Sequence, residues 1–221
     1  MSRTGGPAAA TAVSFPSGSV LRRDPTDDTV TFLKHPNLTA EIDLKADFVS
    51  LVRSGRSMDI IVAFVTHYAQ LFRLNQPGQE WQHASTTTDD LGITHVRLNQ
   101  YYAGVQVWAS EIVCHFDPGG NLYLVHGHYI PTPDHLSLQP NITPADAREL
   151  AYEHLGRPYI PCPRCDKDLV VMPQGNGPAL LVYRLQVQLS MAEGWRIFVD
   201  AHDGQIVKQI TTVIPGATAG P

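Results

Sequence analysis

Residues 92–115, GITHVRLNQYYAGVQVWASEIVCH, read as a strand, a Gly-marked turn and a second strand. Val96, Leu98, Gln100 and Tyr102 fall on one side of a period-2 pattern, with Arg97, Asn99 and Tyr101 on the other, as a half-buried strand requires. Ala103-Gly104 breaks the alternation with a residue that tolerates positive φ, and Val105, Val107, Ile112 and Val113 resume it. This hairpin is the centre from which the rest of the chain is placed.

Upstream of it, residues 1–28 are rich in Gly, Ala, Ser, Thr, Pro and Asp without periodicity and read as a flexible leader. A short strand is expected at 29–33, a short helix at 43–52 and a longer helix at 58–74. In the longer helix Ile61, Phe64, Val65, Tyr68, Leu71 and Phe72 recur at helical spacing and must face something, the hairpin sheet being the available partner. Gln76-Pro77-Gly78 is expected to stop that helix. Downstream, Asp117-Pro118-Gly119-Gly120-Asn121 signals a turn and 122–129 a strand. Pro131, Pro133 and Pro140 then stiffen a linker.

A second unit begins at Thr143, an N-cap followed by Pro144 in the first helical turn, with Ala147, Leu150, Ala151 and Leu155 on the buried face and Gly156 ending it. Strands are expected at 168–172, 180–189, 195–201 and 206–212, with His202-Asp203-Gly204 a tight turn between the last two. A helix followed by antiparallel strands thus occurs twice, which makes the class α+β with two successive units, each a helix packed on an antiparallel sheet.

The hairpin resembles the core motif of the FTP domain, the fungalysin and thermolysin propeptide module. Gly92, Thr94, His95, Val96, Arg97, Gln100, Tyr102, Gly104, Val105, Val107, Ser110, Glu111, Val113 and His115 stand where that motif places them. Ala109 departs from it, since the family usually carries Gly before the Ser-Glu pair. The second unit is similar to a PepSY domain, through Leu181-Val182-Tyr183-Arg184-Leu185, through Trp195-Arg196-Ile197-Phe198-Val199-Asp200-Ala201, and through Asp203-Gly204-Gln205-Ile206. FTP followed by PepSY is the layout of the proregion of thermolysin-type metalloproteases. The resemblance implies a cystatin-like/PepSY-like fold, divided into a leader at 1–28, an FTP-like domain at 29–135, a PepSY-like domain at 136–212 and a flexible tail at 213–221. From it also follow the residues of interest, structural or partner-binding: Gly92, His95, Arg97, Gln100, Tyr102, Gly104, Ser110, Glu111, Trp195, Asp200 and Gly204.

Composition bounds the function. With 221 residues, 43% hydrophobic and 17% charged, the chain has enough apolar material for a core, and its net charge of −5 argues against a phosphate-binding groove and hence against nucleic acid as a partner. The strongly apolar run at 60–65 is far shorter than the roughly 20 residues of a membrane span. Residues 1–13 are too weakly apolar for a clear signal peptide, so an extracellular location rests on the resemblance.

Chemistry is harder to place. A thermolysin-like catalytic centre needs H-E-x-x-H, and none of the ten histidines is followed by Glu. No catalytic residue, metal ligand or cofactor is assigned. His126-Gly127-His128 puts two imidazoles on one sheet face, with Glu111 or His115 on the adjacent strand as further donors; ordinary surface or packing histidines are preferred over a metal site. His95 reads as a satisfied structural histidine, and Asp200 and Asp203 as turn-capping carboxylates. Cys162-Pro163-Arg164-Cys165 has finger spacing but no second pair, so a local thiol pair or disulfide is the plainer reading. Cys114 reads as a buried small hydrophobe.

The expectation is a non-catalytic, proregion-like protein that binds a thermolysin-like zinc metalloprotease, inhibiting it or assisting its folding. The alternative is the same modules repurposed to bind another protein or a cell-surface component.

Overall fold

The computed structural model describes residues 13–160, 168–175, 177–190 and 193–212. The tail at 213–221, the Cys162/Cys165 pair and the first twelve residues of the leader lie outside them. The class is α+β. Ten strands form one sheet in the order β1-β2-β6-β5-β7-β8-β9-β10, with β4 pairing β5 and β3 pairing β4.

The first half holds β1 (Val20–Arg23), β2 (Val30–Lys34), β3 (Trp81–Thr88), β4 (Thr94–Tyr102), β5 (Val105–Phe116) and β6 (Leu122–His128). The helices α1 (Phe48–Arg53), α2 (Ser57–His67), α3 (Ala69–Phe72) and α4 (Pro77–Glu80) accompany them. Ile60, Ile61, Phe64 and Val65 of α2 meet Val96 and Leu98 of β4, Ile112, Cys114 and Phe116 of β5 and Val125 of β6 in one core. The opposite sheet face, with His95, Arg97, Glu111 and His128, stays open.

Three local differences from the sequence reading have physical causes. The stretch read as a leader contains β1, which pairs antiparallel with β2; this edge strand is mostly exposed and so shows no apolar alternation. Phe15 also packs its ring against Tyr68 and Phe72. The helix expected over 58–74 breaks at Tyr68, and its last turn ends at Arg73, which is left-handed at φ 58. The break lets Phe64, Tyr68 and Phe72 all reach full burial, with Phe72 against Tyr129. Pro77, expected only to end that helix, instead opens α4, whose missing N–H costs nothing at a first helical position.

The second half holds α5 (Pro144–His154), β7 (Asp168–Gln174), β8 (Gly177–Ser190), β9 (Glu193–Asp200) and β10 (Ile206–Thr211). A capping box between Thr143 and Asp146 starts α5. Its Ala147, Ala151 and Tyr152 pack on Leu181, Tyr183, Leu185, Ile197 and Val199. On the reverse face Val170, Met172, Val182 and Phe198 form a smaller cluster against Trp108 of β5. The connection between halves is tied to the first core by Thr132, whose Oγ1 donates to the buried Glu80 carboxylate at 2.8 Å. It reaches the second core at Leu136 and Leu138.

The halves meet at β5. Residues 111–116 pair with β6, whereas Val107 pairs in parallel with Val171 of β7. Between the pairs Asn99–Glu111 and Tyr101–Gln106, Gln100 alone faces residues 107–110. This bulge bends β5 away from its partner and aims Trp108 at the second half.

Candidate functional site

The β4–β5 hairpin is held at both ends by backbone that the sequence dictates. At the tip, Ala103 and Gly104 both have positive φ, 44 and 86, as a twist-matched hairpin turn requires. At the base, Asp89 Oδ1 accepts from the N–H groups of Leu91 and Ile93 at 2.9 Å each, and the Gly92 N–H donates to the Asp89 carbonyl at 3.0 Å. Gly92 sits at φ 77. The backbone N–H of Ile93 is the main cause holding the Asp89 carboxyl below its usual range.

The polar residues of the hairpin divide by sheet face. Gln100, fully buried, has no β5 residue directly opposite and instead brackets Ile130: its Nε2 donates to the Ile130 carbonyl at 2.7 Å and its Oε1 accepts the Ile130 N–H at 3.0 Å. This extends the sheet past the end of β6. Ser110 is buried in the bulge with no partner for its hydroxyl among the described residues. Tyr102 lines a cleft of 350 Å³ with Glu80, Thr132 and His135.

On the open face Arg97 and Glu111 form an ion pair with about half of each side chain exposed. Next to them His95 Nε2 lies 3.2 Å from Asp89 Oδ2, and His95 Nδ1 lies 2.6 Å from His115 Nδ1. Burial, then His126 and His95, push His115 down to about 4.

His126 and His128 do share this face, opposite Val113 and Glu111 respectively, but they serve different neighbours. His126 stacks on His115, and His128 Nδ1 lies 3.8 Å from Asp24 Oδ2. Gly127 between them is required by space, since a Cβ there would sit 2.2 Å from the Glu111 carbonyl oxygen. Among the described residues no three His, Cys, Asp or Glu side chains are arranged to hold a metal. Cys114 is fully buried, which pushes its thiol up.

Trp195, Asp200 and Gly204 do not join the hairpin. Asp200 Oδ1 accepts from the N–H groups of His202 and Asp203 at 2.7 and 3.3 Å, closing the β9–β10 turn. Gly204 is at φ 79 and faces α5, where a Cβ would come within 2.8 Å of Leu150 Cδ1. Trp195 packs at the rim of the second core, its indole nitrogen without a partner among the described residues. Sequence reasoning passed over Asp89 and Trp108, and noted Ala109, which is left-handed at φ 57, only as a departure from the resembled motif. The Asp-Asp-Leu-Gly run was a usable turn signal for Asp89, and the Gly that the resembled motif carries where Ala109 stands a usable one for the bulge.

Residues 79–129 match the family model described as Fungalysin/Thermolysin Propeptide Motif, which covers β3, β4, β5 and β6. The chain is 25% identical over 173 residues to bacillolysin of Bacillus amyloliquefaciens, spanning 72% of this chain and 32% of that protein. It is likewise 25% identical over 166 residues to bacillolysin of Bacillus subtilis (strain 168), spanning 71% of this chain and 32% of that protein. The chain therefore spans about a third of the length of these relatives. Among solved structures, the Bacillus megaterium YpeB C-terminal domain aligns over 87% of this chain and 81% of that one, at 13% identity and a TM-score of 0.37. No described helix is long and apolar enough to cross a membrane.

Proposed function

We propose that this chain acts by binding rather than catalysis, as a proregion-type protein that docks on a thermolysin-like zinc metalloprotease and inhibits it or assists its folding. The observation that carries the reading is the propeptide motif at residues 79–129, set on a hairpin whose buried side is committed to the core and whose other side is free. A rigid surface of this kind stabilises whichever form of a partner it binds, so one interface serves both inhibition and folding assistance. In this reading residues 136–212 are a PepSY-like companion, and residues 213–221 approach the protease cleft.

Arg97 and Glu111 separate docking from folding. An exposed ion pair contributes under about 1 kcal/mol to stability, so reversing one charge alters the surface and spares the core. The test is inhibition of a thermolysin-like protease from the same source, with bacillolysin as a second target. The full chain is expected to inhibit. Arg97→Glu and deletion of 213–221 should each weaken inhibition about tenfold, equivalent to about 1.4 kcal/mol, with unchanged thermal midpoints. Inhibition of neither protease, and no gain in their refolding yield, would overturn the reading in favour of the repurposed module.

A further inference from the structure

Four side chains form a file on the open face. Asp89, His95 and His115 form a chain with contacts of 3.2 and 2.6 Å, and the His126 ring stacks on His115 at 5.0 Å and 23°. His95 and His115 are register partners in the β4–β5 ladder, so the hairpin itself holds the 2.6 Å contact closed. His115 Nε2 is sealed from solvent and has no hydrogen-bond partner among the described residues.

The protons can be counted. The Asp89 carboxylate only accepts, so His95 carries its proton on Nε2. The contact between the two Nδ1 atoms then needs one proton, and with both rings neutral it belongs to His115, leaving the sealed Nε2 bare. A proton added to His95 Nδ1 forces His115 to give up its own Nδ1 proton and carry one on Nε2, where no acceptor waits. A second added proton sets N–H against N–H across 2.6 Å.

The groups facing His115 oppose uptake as well. Lys34 on β2 lies opposite Leu124, the register partner of His115. Arg97 on β4 and His126 on β6 are further cations or potential cations, and the Tyr123 ring is 6.2 Å away. Glu111 on β5 is engaged by Arg97, and Asp24 faces His128.

We propose that Asp89, His95, His115 and His126 form an acid-operated latch on the β4–β5 ladder, closed while one proton lies between the facing nitrogens and opened when a second drives the rings apart. The folded His115 titrates near 4, below a free imidazole near 6.5. The opened or unfolded chain therefore binds more protons between these values. The latch's stabilisation is complete above about pH 6.5 and is lost as pH falls toward 4.

Imidazole nitrogen spectra of the full chain test this without any substitution. At pH 7 His115 is expected to be protonated on Nδ1 and His95 on Nε2, with His115 still neutral near pH 5. Thermal midpoints from pH 7.5 to 4.5 give a second measure: the unaltered protein should lose on the order of 5 °C more than His115→Phe, which keeps a ring but no titration. His115 carrying two protons at pH 6, His115 protonated on Nε2 at pH 7, or equal pH slopes for the two proteins would each overturn the latch.

Discussion

Ala109 stands at φ 57 in the bulge of β5, a conformation that costs a residue with a Cβ about 1–2 kcal/mol. Ala109→Gly is expected to stabilise the protein by about 0.5–1 kcal/mol, less than the full relief because glycine has more freedom to lose on folding. A urea midpoint that does not rise would show that the bulge is held another way. Gly104 gives the opposite case. Its φ is 86 and a Cβ there would meet nothing within 4 Å, so the cost of a side chain is backbone strain alone. Gly104→Val should cost about 1–3 kcal/mol and Gly104→Asn distinctly less, both read from denaturant midpoints. Glycines such as 92, 104 and 204 were legible in the sequence because their conformations are local. The turn role of Asp89 was local too, since it caps the N–H groups of Leu91 and Ile93, whereas the role of Gln100 was not, because it depends on a main chain 30 residues away.

Whole elements were legible where burial alternates and hidden where it does not. β4, β8 and α5 follow their apolar patterns closely. β3 was missed because seven of its eight residues are exposed and it reads as a polar Thr-rich stretch. The break in the helix at Tyr68 carries no Gly or Pro to announce it; the aromatic rings that it seats lie partly on other elements. The bracket from Gln100 is the element-scale feature with the sharpest consequence. Gln100→Leu keeps the volume but strands the Ile130 N–H and carbonyl, so a loss of about 2–3 kcal/mol is expected. A loss under 1 kcal/mol would mean that water replaces the amide.

At the scale of the molecule the sequence pattern reads as helix-plus-sheet twice, and the described residues gather into one core in each half and a smaller cluster beside Trp108, but nothing in the pattern announces that one sheet would run through all of them. That follows from the bulge and from a single parallel rung between Val107 and Val171. With that rung, Val105 and Trp108 as the contacts from β5 to the second half among the described residues, the connection at 131–140 is expected to be the first site of limited proteolysis near the unfolding midpoint. Trimming confined to 1–28 would argue against two cooperative units. The halves should also be unequal: residues 13–135 keep their core intact when expressed alone, whereas 136–212 lose the Trp108 indole that lies against Phe198, with ring centroids 4.9 Å apart. Trp108→Ala in the full chain should lower the stability of the second half by about 3 kcal/mol, read by hydrogen exchange in β7 to β9. The shared strand also sets an order of events during synthesis. Everything that packs around β5 in the first half precedes α5 in the chain, so that core can close while the second is still being translated, and β7 then arrives to find a ready-made template on which to lay its first rung.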